Sequence, residues 1–205
     1  MNKRSKRYRE IFKNSEKGKK FDAKEILDFL KKNATTKFDE SIDVSMRINL
    51  KQSKGGDFNL RTVVKLPKGS GKKINIAVLC EADKVDDAKK AGADIAGAED
   101  LIETIASGKF NFNKLICTPG MMGKLGKHGK VLGPKGLMPN PKLGTVASDI
   151  KKAIDDIKSG LVEIKNDKDG NIASSIGRKS FANEILLNNF NHFVDSIKKE
   201  KPDAM

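Results

Sequence analysis

The sequence predicts an α+β chain into which an α/β unit is inserted, and three observations carry that prediction. Residues 41–50 alternate strictly, with Ile42, Val44, Met46, Ile48 and Leu50 set against Ser41, Asp43, Ser45, Arg47 and Asn49. Such a strand has one face in water and belongs in an antiparallel sheet. Residues 74–80 (INIAVLC) and 114–117 (KLIC) are instead nearly continuous apolar runs, as strands covered on both faces require. Helical segments alternate with these runs, and after Gly160 the antiparallel character returns. The economical arrangement is a discontinuous α+β domain, residues 1–67 plus 160–205, with an antiparallel sheet and helices. It carries an inserted three-layer α/β (Rossmann-like) domain at residues 68–159. Two chain crossings at one border make a hinge, so relative domain motion is expected.

Each element follows from local pattern. Residues 1–20 hold nine Lys or Arg against Glu10 and Glu16, and Tyr8, Ile11 and Phe12 can pin part of this basic arm as a short helix. An arm of this charge reads as a solvated tail or as a contact to phosphate. Asp22, with Glu25 three residues on, opens a helix that ends near Asn33, with Ala23, Ile26, Leu27 and Leu30 at helical spacing. A turn at 52–57 containing Gly55 and Gly56 leads to a second strand, 60–66, ended by Pro67. Residues 68–71 (KGSG) read as a linker. Helices are then expected at 83–91, 99–106 and from Ser148 or Asp149 to Lys158, with a short strand at 94–96. Strands at 161–165 and 172–176 flank NDKDG at 166–170, which predicts a hairpin. Ser180 is positioned to cap a last helix whose apolar stripe is Ile185, Leu186, Phe190, Phe193, Val194 and Ile197.

Composition narrows the function. The 205 residues carry a formal net charge of +14 and a pI of 9.7, which draws a polyanion and makes its binding salt-sensitive. No apolar run approaches the ~18 residues of a membrane span, and the N-terminus lacks a signal-peptide core, so no membrane partner and a cytoplasmic location are expected. Cys80 and Cys117 lie far apart in apolar segments without a CxxC pattern, and read as buried thiols in a reducing compartment. His128 and His192 have no nucleophile or carboxylate partner within sequence reach, and no metal site, cofactor or catalytic residue is expected.

The most unusual stretch is 123–144, whose 22 residues hold 6 glycines, 3 prolines, 5 lysines and no acid. Prolines at 134, 139 and 141 argue against a helix or central strand here. A long basic irregular loop is expected, anchored on a core by Leu132, Leu137 and Met138. By residue type it is either an anion-facing surface or a solvated lysine-rich connection. KGSGKK at 68–73 resembles half a phosphate loop, but position 66 is Leu, Lys73 follows Lys72, and the motif precedes a strand. GKLGKHG lacks the dinucleotide spacing. An enzyme taking a phosphate ligand or nucleotide on the α/β domain is the alternative reading, resting on fold class and glycines.

The stretch GPKGLMPNPKLGT at 133–145 resembles the signature loop of the bacterial large-subunit stalk ribosomal protein family, the L-one family. Its matching positions are Gly133, Pro134, Gly136, Leu137, Met138, Pro139, Asn140, Pro141, Lys142 and Gly144. KFDESIDV at 37–44, AGAD at 91–94, EDLIETI at 99–105 and IKNDKDGNI with the following IG at 176–177 agree in order and spacing. The resemblance implies a non-enzymatic two-domain protein, monomeric within the ribosome, that binds the stalk helices of 23S rRNA. It also implies passage of exit-site tRNA and repression of its own operon by binding that mRNA. Carried onto this sequence, the RNA-binding positions are Lys37, Phe38, Glu40 and Ser41, with Asn166 and Lys168 in the predicted hairpin turn and Gly177 and Arg178 after it. Lys37, Lys168 and Arg178 can neutralise phosphates, Phe38 offers a flat face to a ribose or base, and Glu40 and Ser41 can reach 2′-hydroxyls. Without the resemblance, Phe38 reads as core packing at a strand start, and Glu40 as a solvated acid or the partner of a nearby lysine. Family members continue into a further strand bearing a Ser/Thr-Met-Gly motif. The sequence given ends at Lys201, Pro202, Asp203, Ala204 and Met205 without it: with a natural end the sheet lacks that strand, and with a shortened one function is read from the longer protein.

Overall fold

The computed structural model describes residues 4–15, 20–48, 60–108 and 110–200. The predicted turn at 52–57, the ends of the basic arm and the strand positions Asn49 and Leu50 lie outside these residues. Among the described residues the elements are α1 (Lys6–Asn14), α2 (Ala23–Asn33), β1 (Ser41–Arg47), β2 (Arg61–Lys65), β3 (Ile76–Leu79), α3 (Val85–Lys90), β4 (Ile95–Gly97), α4 (Glu99–Ala106), β5 (Lys114–Cys117), α5 (Pro119–Gly126), α6 (Gly129–Leu132), α7 (Ile150–Lys158), β6 (Leu161–Lys165), β7 (Asn171–Arg178) and α8 (Asn183–Glu200). The fold is α+β, with helices packed on short sheets.

β3, β4 and β5 form a parallel sheet in the order β4-β3-β5. All four residues of β3 are buried, and their alternation sends side chains into two cores. Ala77, Leu79, Leu115 and Cys117 meet Leu101 and Ile105 of α4, Met121 and Leu125 of α5, and Leu132 of α6. Ile76, Val78, Cys80 and Ile116 meet Ala88 of α3 and Ile150, Ala153, Ile154 and Ile157 of α7. Helices therefore cover both faces, the reason these strands read as unbroken apolar runs. Cys80 and Cys117 are free and buried on opposite sides of the sheet. Burial pushes the Cys117 thiol up to about 12.

β1 pairs antiparallel with β7, and β2 with β6. The alternation in β1 holds, since Ile42 is buried while Ser41, Asp43, Ser45 and Arg47 are exposed. The two ladders and α8 share a core of Leu60, Val64, Ile164, Ile172, Phe193 and Ile197. A smaller one joins Leu27 of α2 to Ile42, Ile176 and Leu186.

Three expectations are corrected. The β6–β7 hairpin is not a ladder: each strand pairs with a partner more than 90 positions earlier in the chain. The turn between them keeps its own bonds, because Asp167 Oδ1 accepts from the N–H groups of Asp169 and Asn171 at 2.9 and 2.7 Å. Ser180 does not cap α8, which begins at Asn183; its hydroxyl donates to Asp39 Oδ2 at 2.7 Å. The irregular loop is shorter than 123–144, since α5 runs to Gly126 and α6 spans 129–132. Glycine costs about 1 kcal/mol per helical position, and burial of Met121, Leu125 and Leu132 outweighs it. Within 123–144 the prolines begin only at 134.

The chain passes between the antiparallel ladders and the parallel sheet twice, and the crossings touch. Gly160 and Gly69 both have positive φ, and a Cβ on Gly160 would lie 2.6 Å from Gly69 Cα, so only glycine fits there. Asn189, fully buried in α8, donates from Nδ2 to the carbonyls of Ile176 and Gly69 at 2.8 and 3.1 Å. It thus ties helix, strand and crossing together.

Candidate nucleic-acid interface

The β1–β7 ladder places six of the eight candidate residues at one end. Ser41 lies opposite Arg178 and Ile42 opposite Gly177, and the register shifts between Ile42 and Asp43. A bulge of this kind re-aims the side chains beside it. The ladder's bonding continues one residue further, with Lys179 N–H donating to the Glu40 carbonyl at 2.8 Å. Arg178 Nη1 donates to the Asp39 carbonyl at 3.1 Å and to Ser41 Oγ at 3.0 Å. The guanidinium thereby fastens the 37–41 segment to the strand end.

Asp39 completes the clamp, and sequence reasoning missed it. Its two carboxylate oxygens accept from the N–H and hydroxyl of Ser180 at 3.0 and 2.7 Å. The Ser180 hydroxyl foremost, then its N–H and the nearby Arg178 and Lys179 charges, hold the carboxyl below its ordinary value. Two lysines brace the same junction: Lys31 Nζ donates to the Phe181 carbonyl and Lys179 Nζ to that of Ala34. An Asp two residues before a strand carries no local signal, because its partner lies 141 positions away.

Held in this way, Phe38 is 69% exposed, which overturns core packing as its role. Lys37 beside it is exposed. Glu40 pairs with Arg7 of α1 at 3.6 Å. The surface offers an aromatic face, positive charge and carboxylate and hydroxyl acceptors within five residues, the mixture that RNA backbones and exposed bases engage.

Gly177 is buried: a Cβ there would lie 2.6 Å from Leu186 Cδ2 and 3.0 Å from Phe181. Its missing side chain lets α8 close onto β7. Asn166 and Lys168 stand in the turn beyond the opposite end of β7 from Arg178, and β7, Asn171–Arg178, spans about 23 Å at about 3.3 Å per residue. Asn166 Oδ1 accepts from Leu60 N–H at 2.5 Å and its Nδ2 donates to the Asp167 carbonyl at 2.8 Å. Lys168 is exposed on the turn. Asp167, also missed, builds that turn, and its bonds to Asn171, the side-chain one foremost, lower its carboxyl. The NDKDG composition carried that signal.

The signature loop lies elsewhere, against the parallel sheet. Pro139 and Leu143 are buried, and Leu137 and Met138 pack on the core that holds Leu132. Asn140 Oδ1 accepts from Lys142 N–H at 2.9 Å, and Thr145 Oγ1 accepts from Asn140 N–H at 2.8 Å. Lys135 Nζ stands 3.9 Å over the Phe110 ring.

The crevice at the carboxyl ends of β3 and β5, where sheets of this type hold ligands, contains Glu81. Its Oε1 lies 2.5 Å from where a Gly120 Cβ would be, at the start of α5. Lys84 Nζ at 2.8 Å is the main reason its carboxyl is held below the ordinary value. The Glu81–Lys84 pair carries no net charge, so it gives a phosphate no net attraction.

The sequence profile of the family described as "Ribosomal protein L1p/L10e family" matches residues 30–204. The chain is 61% identical over 176 residues to the "Large ribosomal subunit protein uL1" of Pelagibacter ubique, covering 86% of this chain and 76% of that protein. It is 47% identical over 199 residues to "Large ribosomal subunit protein uL1c" of Arabidopsis thaliana, covering 97% of this chain and 57% of that one.

Proposed function

The chain belongs to the ribosomal protein L1p/L10e family, and from that premise we propose that it works in the large ribosomal subunit by binding rRNA at the end of the β1–β7 ladder. It is a structural ribosomal protein and not an enzyme, as its relatives' names imply. The observation that carries the RNA site is Phe38, 69% exposed in a segment that Arg178 fastens to the strand end.

The finer reading is that the RNA is the stalk of 23S rRNA, contacted by Lys37, Phe38, Glu40, Ser41 and Arg178, with Lys168 and the Asn166 turn as a second contact beyond the far end of β7. Gly177 contributes by shape, through the close approach of α8. In this reading the protein also assists exit-site tRNA and represses its own operon through a similar mRNA site. The antiparallel ladders and the parallel sheet act as two domains hinged at Gly69 and Gly160, whose contact supports a pivot there. The charge of +14 supports a polyanionic partner.

Sedimentation with large ribosomal subunits tests the reading. The chain should travel with them at low salt. In titrations with a stalk rRNA fragment, log affinity should fall linearly with log salt, by about 0.9 for each duplex phosphate neutralised. Salt-independent binding, or equal affinity for any duplex, overturns it.

A further inference from the structure

A cleft of about 460 Å³ opens at the candidate interface, sharing Phe38, Glu40 and Ser41 with it and adding α1 and α2 as further walls. Ile11 of α1, Phe29 and Leu30 of α2, and Phe38 give it apolar walls, and Glu40 and Ser41 line it too. α1 closes one side through the Arg7–Glu40 pair at 3.6 Å. The outer part of α1 is basic and aromatic. Arg4 stacks 4.6 Å over the Tyr8 ring, and Tyr8 stacks on Phe12 with centroids 5.8 Å apart. Lys6, Arg7, Arg9 and Lys13 are exposed on the same helix.

We propose that this cleft takes one unstacked nucleotide of the bound RNA, with its base against Phe38 and Ile11 and its phosphate facing Arg7 and Lys37. The inference rests on the RNA-binding reading and names what that site selects: RNA with an unpaired nucleotide over continuous duplex. Three features single out this occupant. Apolar walls with an exposed aromatic suit a base, which every nucleotide presents as a flat face. The Glu40 carboxylate, which has acceptor sites beyond its pair with Arg7, and the second lone pair of Ser41 Oγ, which already accepts from Arg178, supply acceptors for an exocyclic amine. The positive charge of α1 at the rim complements a phosphate and would repel a basic peptide.

The test uses the full chain and two RNAs, a large-subunit stalk fragment and the same fragment with its unpaired nucleotides changed so that they pair. Wild type should prefer the looped RNA by about tenfold, the size of one base–aromatic stack. Ile11→Trp, which fills the cleft, should abolish that preference and leave affinity for the paired RNA unchanged. Arg7→Ala, a surface change, should weaken the looped RNA more than the paired one, and thermal melts should show both variants folded. A wild-type chain that binds both RNAs alike, or variants that weaken both equally or neither, overturns the cleft while leaving RNA binding in place. No binding of either RNA by wild type overturns the RNA-binding reading and the cleft with it.

Discussion

The segments 133–144 and 37–41 both look like nucleic-acid contacts, yet they dispose their apolar residues in opposite ways. In the longer one Pro139 and Leu143 are buried, Leu137 and Met138 are half-buried, and Lys142 is exposed. Lysine is exposed in most proteins whatever they bind, so the segment's evident task is to cover the parallel sheet. In the shorter one the polar groups are committed: Asp39 to Ser180, the Glu40 carbonyl to Lys179, and Ser41 to Arg178. The apolar ring of Phe38 is left in water. Charge density alone would pick the first segment. Asking which residue is out of its usual place picks the second.

Four substitutions sharpen that contrast, and the largest effect belongs to the packed side. Leu132, fully buried under the signature loop, should cost about 2–5 kcal/mol of stability when changed to Ala. Chemical denaturation would read that loss, and the folded fraction should keep its RNA affinity. Phe38→Ala should do the reverse, with stability changed by less than about 0.5 kcal/mol and rRNA affinity reduced about tenfold. If the two variants behave alike, packing and binding have not been separated between the segments.

Asp39→Asn addresses the clamp. Because the folded-state pKa of Asp39 is lowered, its contribution is present above the unfolded value of about 3.9 and lost as pH falls through the folded value. Melting temperatures of wild type and variant should therefore differ at neutral pH and converge in acid. A constant gap would mean that the carboxylate charge is not what holds Ser180. The smallest effect is expected from Lys142→Ala, with less than about threefold loss of RNA affinity and a salt slope reduced by no more than about 0.9. A loss equal to that of Phe38→Ala would move the main surface to the signature loop.

Much of the fold was legible because it is written at short range. The ends of α4, β5 and β6 follow from local periodicity and turn residues. The helical turns at 119–132 were obscured by their glycines, whose unfavourable propensity the buried Met121, Leu125 and Leu132 override. The candidate residues Phe38 and Arg178 came from motif resemblance. Neither Asp39, which fixes Arg178's surroundings, nor the cleft closed by α1 had any local pattern to reveal it.

By itself, then, the sequence determined where the strands lie, though not most of their ends, which of them show one face to water, the basic charge and the family. These depend on spacings of two to four residues and on composition, which a single chain displays directly. Only the tertiary structure decided that β7 joins β1 and leaves β6 to β2, that Phe38 stands in water, and that Ser41 meets Arg178 across 137 positions. Pairing of that range is chosen by competition among strands for a shared core around α8. No local stretch of sequence records how such a competition ends.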